Sequence, residues 1–337
     1  MQTENFENNN FAFSQYNVKL INEKNDLRRT ARLIGIPLLC TFAISLLIST
    51  VIQFFGFSQS DALRFYNLLN EPMVNQIVQI VFTLIIFLLP FTVSAKVSNH
   101  KISKLIKFEK PKGKIALPLY IFGVVFCIFA NISVSYAGAI FEGFGVDYSV
   151  DTGAFPSGIL GFTVSFIAVA IIPGLIEEYV FRGIILGMLR KYGDGFAIIV
   201  SSALFGIIHG NFEQMPFAFL VGIVLGFVCI KTESIWICSL IHLTNNAVSV
   251  IFDYLQKSIS NEMQNVIYCF YMLIILLLGI FSVIFFIKGK KSEAFEDFDN
   301  KKEFSMSLKK RYTCFFSSPF IIIFAVLYVL DAFLFFK

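Results

Sequence analysis

Three ionisable side chains stand inside a run otherwise fit for lipid, Ile176-Glu177-Glu178-Tyr179-Val180-Phe181-Arg182-Gly183. From about Gly158 to Met188 nearly every other position is apolar, so these groups are expected at membrane depth, where a charged residue at a helix centre costs roughly 2.5 to 3.5 kcal/mol on translocon scales. Residues retained at that cost point to function. Glu178 and Arg182 are four apart and share a helical face, where they can neutralise each other, while Glu177 points to a neighbouring face. One carboxylate is then paired and the other is free to act. A structural ion pair holding two helices together would account for Glu178 and Arg182 but not for Glu177.

Two of the chain's three histidines, His209 and His242, lie downstream of this pair in apolar sequence. A lone intramembrane histidine is more often an interhelical hydrogen bond than a catalyst; two of them after a carboxylate pair change that balance. Phe205 and His209 are four apart, so an aromatic ring can wall the imidazole. His242 and Asn246 have the same spacing, with Asn245 beside them. An imidazole and an amide on one face are good donors to a developing oxyanion. Glu177 with His209 would serve as the base for a water molecule. Attack of that water on an amide needs no serine or cysteine nucleophile and no cofactor. Alternatively, Glu177, His209 and His242 could bind zinc or another divalent metal with one position open for water. The chain has no HExxH motif, so such ligands would come from three separate helices. Pro173-Gly174, just before the glutamates, is expected to kink the helix and free backbone carbonyls near the site.

The elements that carry these residues are membrane spans. With 56% hydrophobic residues, 42 Phe and 15% charged residues, and a mean hydropathy of +0.74, the composition excludes an ordinary soluble domain. The expected fold is all-α, a polytopic transmembrane bundle of about eight or nine spans. Apolar runs fall at about 33–57, 74–95, 115–140, 158–188, 196–209, 216–230, 235–252, 266–287 and 315–336. The fifth and sixth are short and could be tilted, re-entrant or merged. Spans four to seven carry every candidate site residue.

Charge distribution orients the spans. Lysines 96, 101, 104, 107, 110, 112 and 114 face only Glu109 in the second connection, and 288–311 is also rich in charge. Nine spans with a cytoplasmic N-terminus put each basic connection inside. The implied location is the cell membrane, multi-pass. A nucleic-acid patch is not expected, since topology and the lipid bilayer account for the basic residues and the formal net charge is only +4. His100 reads as a solvated loop residue, and Asp147 with Asp151 as solvated loop acids, not a calcium site. Residues 1–32 are polar and Asn-rich and read as a loosely ordered cytoplasmic tail. Residues 33–157 form N-terminal spans with the Lys-rich loop, 158–252 a core, and 253–337 the C-terminal spans with a charged loop. The six cysteines show no paired spacing and are expected as reduced, packed thiols.

Glu177-Glu178-x-x-x-Arg182-Gly183, Phe205-x-x-x-His209 and His242-x-x-x-Asn246, in that order on successive apolar segments, resemble the three motifs of the CPBP family. It comprises type II CAAX prenyl endopeptidases and bacteriocin-processing and immunity proteins, and is also called the Abi family. The resemblance covers roughly Gly158 to Phe252. It implies an α-helical intramembrane endopeptidase in which Glu177 and His209 hold and activate water. His242 and Asn246 resemble the oxyanion pair, and Glu178 with Arg182 the supporting carboxylate and its partner. The implied substrate is a membrane-associated peptide or protein, prenylated or not. Two other readings remain open at this level. One is a non-catalytic immunity or binding protein on the same scaffold. The other is a proton-coupled transporter, for which no internal repeat is visible.

Overall fold

A chain in hydrocarbon must satisfy its backbone internally, and in the computed structural model every regular element among the described residues is helical. The structure describes residues 2–54, 71–98, 101–111, 115–146, 155–288 and 304–333, together with Leu68. His100, Lys112, Lys114, Asp147, Asp151 and most of the charged segment after Lys288 lie outside the described residues.

In chain order the helices longer than one turn among the described residues are α1 (Gln2–Phe54), α2 (Pro72–Val97), α3 (Ala116–Gly143), α4 (Gly158–Tyr192), α5 (Asp194–Ile207), α6 (Gln214–Thr232), α7 (Ile235–Ser258), α8 (Asn261–Lys288), α9 (Leu308–Phe316) and α10 (Pro319–Phe333). Seven are long and apolar enough to span a membrane, and an eighth span results if α9 and α10, bent by 69°, count as one. Among the described residues each of the nine apolar runs is carried by helix over most of its length, within the expected polytopic bundle. The fifth run differs from a full span: α5 has only 14 residues, about 21 Å at 1.5 Å per residue, short of the hydrocarbon core. The last run is broken rather than continuous, because Ser318 precedes Pro319 at the start of α10 and a residue before proline avoids the helical region.

The expected loose tail is also corrected, since α1 runs unbroken through residues 15–32 into the first apolar run. Leu27, Ala31, Ile34 and Leu38 form one buried stripe at helical spacing. Polar groups on the same helix reach elements distant in sequence. The Glu23 carboxylate accepts from the Ser305 and Met306 amides at 2.7 and 3.1 Å. Tyr192, at the end of α4, donates to Asp26 at 2.8 Å and pairs with Thr30 at 2.8 Å. Arg311 on α9 completes the clamp by donating to the Tyr192 carbonyl. Of the cysteines, four are buried and free, Cys40 is half-buried, and Cys269 faces outward, so the expectation of packing fails for that last thiol.

Three helices contain an internal proline with a specific consequence. Proline has no N–H to give the carbonyl four residues back. In α1, Pro37 leaves the Leu33 carbonyl, which accepts from Ser94 on α2. In α4, Pro173 leaves the Val169 carbonyl, which accepts from Asn246 on α7 at 2.9 Å. In both α2 and α4, a π-helical stretch, 84–88 and 166–171, runs up to the proline at 90 or 173. Of the kink and freed carbonyl expected near the glutamates, the structure shows the carbonyl, engaged by Asn246, within a helix that continues from Gly158 to Tyr192.

Candidate active site

The Glu-Glu-Arg sequence sits where α4 passes from an α-helical stretch ending at Glu178 to a π-helical one, Tyr179–Ile185. Such wider turns are rare and concentrate at functional sites. Glu178 and Arg182 meet as the spacing predicts, with Arg182 Nη1 donating to Glu178 Oε1 at 2.9 Å. Both are buried, at 0% and 3% exposure. Arg182 Nη2 also donates to the Gly222 carbonyl of α6 at 3.3 Å, and the guanidinium lies 4.3 Å from the Phe205 ring centroid. A charge this deep is tolerable only with such partners.

Glu178 has a second task. Its Oε1 lies 2.8 Å from His242 Nδ1, so one carboxylate oxygen ties the α4 arginine to the α7 histidine. An ionised carboxylate only accepts, so His242 Nδ1 carries a proton and its Nε2 presents a lone pair when the ring is neutral. His209 is set the same way, with Nδ1 2.7 Å from the Phe205 carbonyl. Both imidazoles therefore have Nε2 free as an acceptor, the disposition that also precedes metal ligation.

Glu177 stands outside the Glu178–Arg182 pair, as the spacing requires. Its Oε2 is buried, has no hydrogen-bond partner, and stands 3.9 Å from His242 Nε2. Glu177, Phe205, His209, His242, Asn245 and Asn246 all line one cavity of about 650 Å³. Phe205 sits between the histidines, its ring centroid 4.9 Å from that of His209 and 5.9 Å from that of His242, edge-on to each. It joins the Arg182 pair to the two imidazoles and is itself 2% exposed.

The amide side chains differ in detail from the simplest expectation. Asn246 spends one N–H on the Val169 carbonyl at 2.9 Å, and its oxygen accepts from Asn245 at 3.0 Å. Each amide keeps one N–H beyond these two bonds. Neutral His242, with its proton on Nδ1, offers nothing at Nε2 to an oxyanion. Its proposed role as donor therefore requires the imidazolium, with a proton on both ring nitrogens.

Zinc or another divalent ion makes a defined geometric demand. The Nε2 lone pairs suit a ligand set of Glu177, His209 and His242, but among the described residues no group of three His, Cys, Asp or Glu side chains is arranged to hold a metal. As they stand, the residues do not fit a closed three-ligand centre.

Gly174 sets the spacing. A Cβ there would lie 3.0 to 3.1 Å from the backbone and Cβ of Leu243, the residue after His242. The bare α-carbon lets α4 and α7 approach closely enough for Glu178 to reach the imidazole. The cavity also has a wall that the motifs do not contain. Gln79 of α2, Asn131 of α3 and Ser249 of α7 line it. Amides inside apolar helices are a signal visible in the sequence, and Gln79 and Asn131 could have been singled out on that ground.

Residues 159–248 match the sequence model of the family described as type II CAAX prenyl endopeptidase Rce1-like. The resemblance drawn from the three motifs is borne out over that segment. Over 147 residues the chain is 31% identical to YdiL of Bacillus subtilis, which carries the name of a membrane peptidase; the match covers 41% of this chain and 60% of that one. Over 110 residues it is 33% identical to the membrane-embedded CAAX protease MroQ of Staphylococcus aureus, covering 30% of this chain and 44% of that one. The chain therefore spans less than two thirds of either relative. No solved structure matches it.

Proposed function

We propose, from a chain whose residues 159–248 resemble a type II CAAX prenyl endopeptidase domain, that this multi-pass membrane protein is an intramembrane endopeptidase. Its substrate would be a membrane-associated peptide or protein, and its N-terminus would be cytoplasmic. The observation that carries the reading is Glu177 Oε2, buried without a hydrogen-bond partner in the wall of a cavity it shares with both histidines.

A water held between the Glu177 carboxylate and His209 Nε2 has acceptors for both its protons. Its lone pair is then free for a carbonyl carbon. As the oxygen–carbon bond forms, the proton passes to Glu177. Negative charge collects on the former carbonyl oxygen, where the remaining N–H groups of Asn246 and Asn245 and, when protonated, His242 Nε2 stabilise it. The C–N bond then breaks, and the proton held by Glu177 goes to the leaving nitrogen. Glu178 and Arg182 do not touch the reacting atoms. They position the His242 ring, and Phe205 walls both imidazoles from the side.

The test compares peptide termini in membranes of cells expressing, at matched levels, the protein or its Glu177→Gln variant. New termini are expected only with the unaltered chain. Identical termini, with any protective phenotype retained by the variant, would replace catalysis by binding on the same scaffold.

A further inference from the structure

Beside the large cavity lies a smaller one of about 220 Å³, walled by α3, α7 and α8. Asn131, Asn245 and Ser249 line both cavities, so a polar sill joins them next to the candidate oxyanion donors. Beyond the sill the wall turns apolar and aromatic, with Ile128, Phe252, Tyr271 and Met272, and includes no charged side chain. The Phe252 ring packs edge-on to Tyr271 at 5.2 Å and to Tyr268 at 6.0 Å, which gives the far wall a fixed shape. Met272 gives it an adaptable one.

We propose that this smaller cavity is a specificity subsite, which receives one large apolar side chain, such as Leu, Ile, Met or Phe, of a peptide lying across the larger cavity. The inference rests on reading the larger cavity as the place of cleavage. Size admits one side chain and not a second strand of peptide. A charged side chain would find no counter-ion there and would lose its hydration. The amides of Asn131 and Asn245 at the sill are at hand for the backbone that such a side chain must leave behind. The subsite also explains why α8 closes this side of the cavity although it lies beyond the segment, 159–248, shared with the family: specificity is supplied by a helix outside the catalytic motifs.

The experiment uses the full chain in lipid nanodiscs and an apolar decapeptide carrying one photo-leucine, moved position by position. Crosslinks to the α8 segment containing Tyr271 and Met272 are expected from a single probe position and should be lost in Met272→Trp. Where the peptides are cut, Met272→Trp should shift the ratio of cleavage between Leu-bearing and Ala-bearing peptides at least about tenfold towards Ala. The Ala peptide should still be cut. Tyr271→Ala, which enlarges the cavity, serves as the second variant and should shift preference towards larger side chains. Crosslinks to α8 without cleavage of any peptide would uphold the subsite as a binding pocket and overturn the proteolytic reading. Crosslinks that avoid α8, capture of a photoreactive lipid there in preference to the peptide, or an unchanged ratio in a folded variant would overturn the subsite itself.

Discussion

Glu178 carries more of the site than its label as a supporting residue suggests, because a single oxygen accepts from Arg182 and holds His242. Removing the arginine leaves a buried carboxylate without its cation. Arg182→Ala should destabilise the protein by about 3 to 5 kcal/mol, seen as a lower melting temperature in detergent. Adding Glu178→Gln should recover part of that loss, because the uncompensated charge goes with it. Asn246→Ala should slow cleavage by a factor on the order of 10² to 10³ if its spare N–H stabilises the oxyanion, measured as turnover per folded enzyme. The pairing of Glu178 with Arg182, and the exclusion of Glu177 from that pair, were legible in the spacing alone, since four residues return a helix to nearly the same face. The bond from Glu178 to His242 was not. It depends on how closely α4 and α7 approach, which no local pattern encodes.

Helix approach is governed by Gly174 and Pro173. Gly174→Val places methyl groups against the Leu243 backbone and should separate α4 from α7. The expected result is loss of cleavage with a stability cost of about 1 to 3 kcal/mol, read from turnover and thermal melting together. The proline offers a cleaner dissection. In Asn246→Ala the Val169 carbonyl loses its partner, at a cost of about 1 to 3 kcal/mol. Adding Pro173→Ala supplies a backbone N–H and should restore melting temperature without restoring turnover. Recovery of both would mean that Asn246 acts on structure only. The proline's effect could be read from the sequence, but its partner across the bundle could not. Hydrophobic runs likewise marked nearly every helix, because membrane spans declare themselves by length and composition. They failed at the ninth, where Ser318-Pro319 breaks the run, and at α1, where a polar surface hid a buried stripe.

At the scale of the molecule, segments near the two ends of the described chain meet at one end of α4. Arg311 is buried, donates to the Tyr192 carbonyl and stacks 4.0 Å from the Phe304 ring centroid, while Asp26 and Thr30 take the Tyr192 hydroxyl. None of these residues lines the cavity. Arg311→Ala should therefore reduce the amount of folded protein while leaving turnover per folded molecule unchanged, as measured by activity normalised to the monodisperse fraction. Equal yield with slower turnover would show that the clamp governs the site and not only the fold.

The proline-freed carbonyls have a consequence for biogenesis. Helices leave the ribosome in order, so α4 enters the bilayer with the Val169 carbonyl bare while α5 and α6 are still to come, and Asn246 reaches it only with α7. The Leu33 carbonyl of α1 waits in the same way for Ser94 of α2. A chain halted after α6 would expose an unsatisfied acceptor beside an incompletely partnered Glu178, a mark that membrane quality control can recognise. Such truncated chains should be degraded quickly, and supplying α7 as a separate polypeptide should lengthen their lifetime.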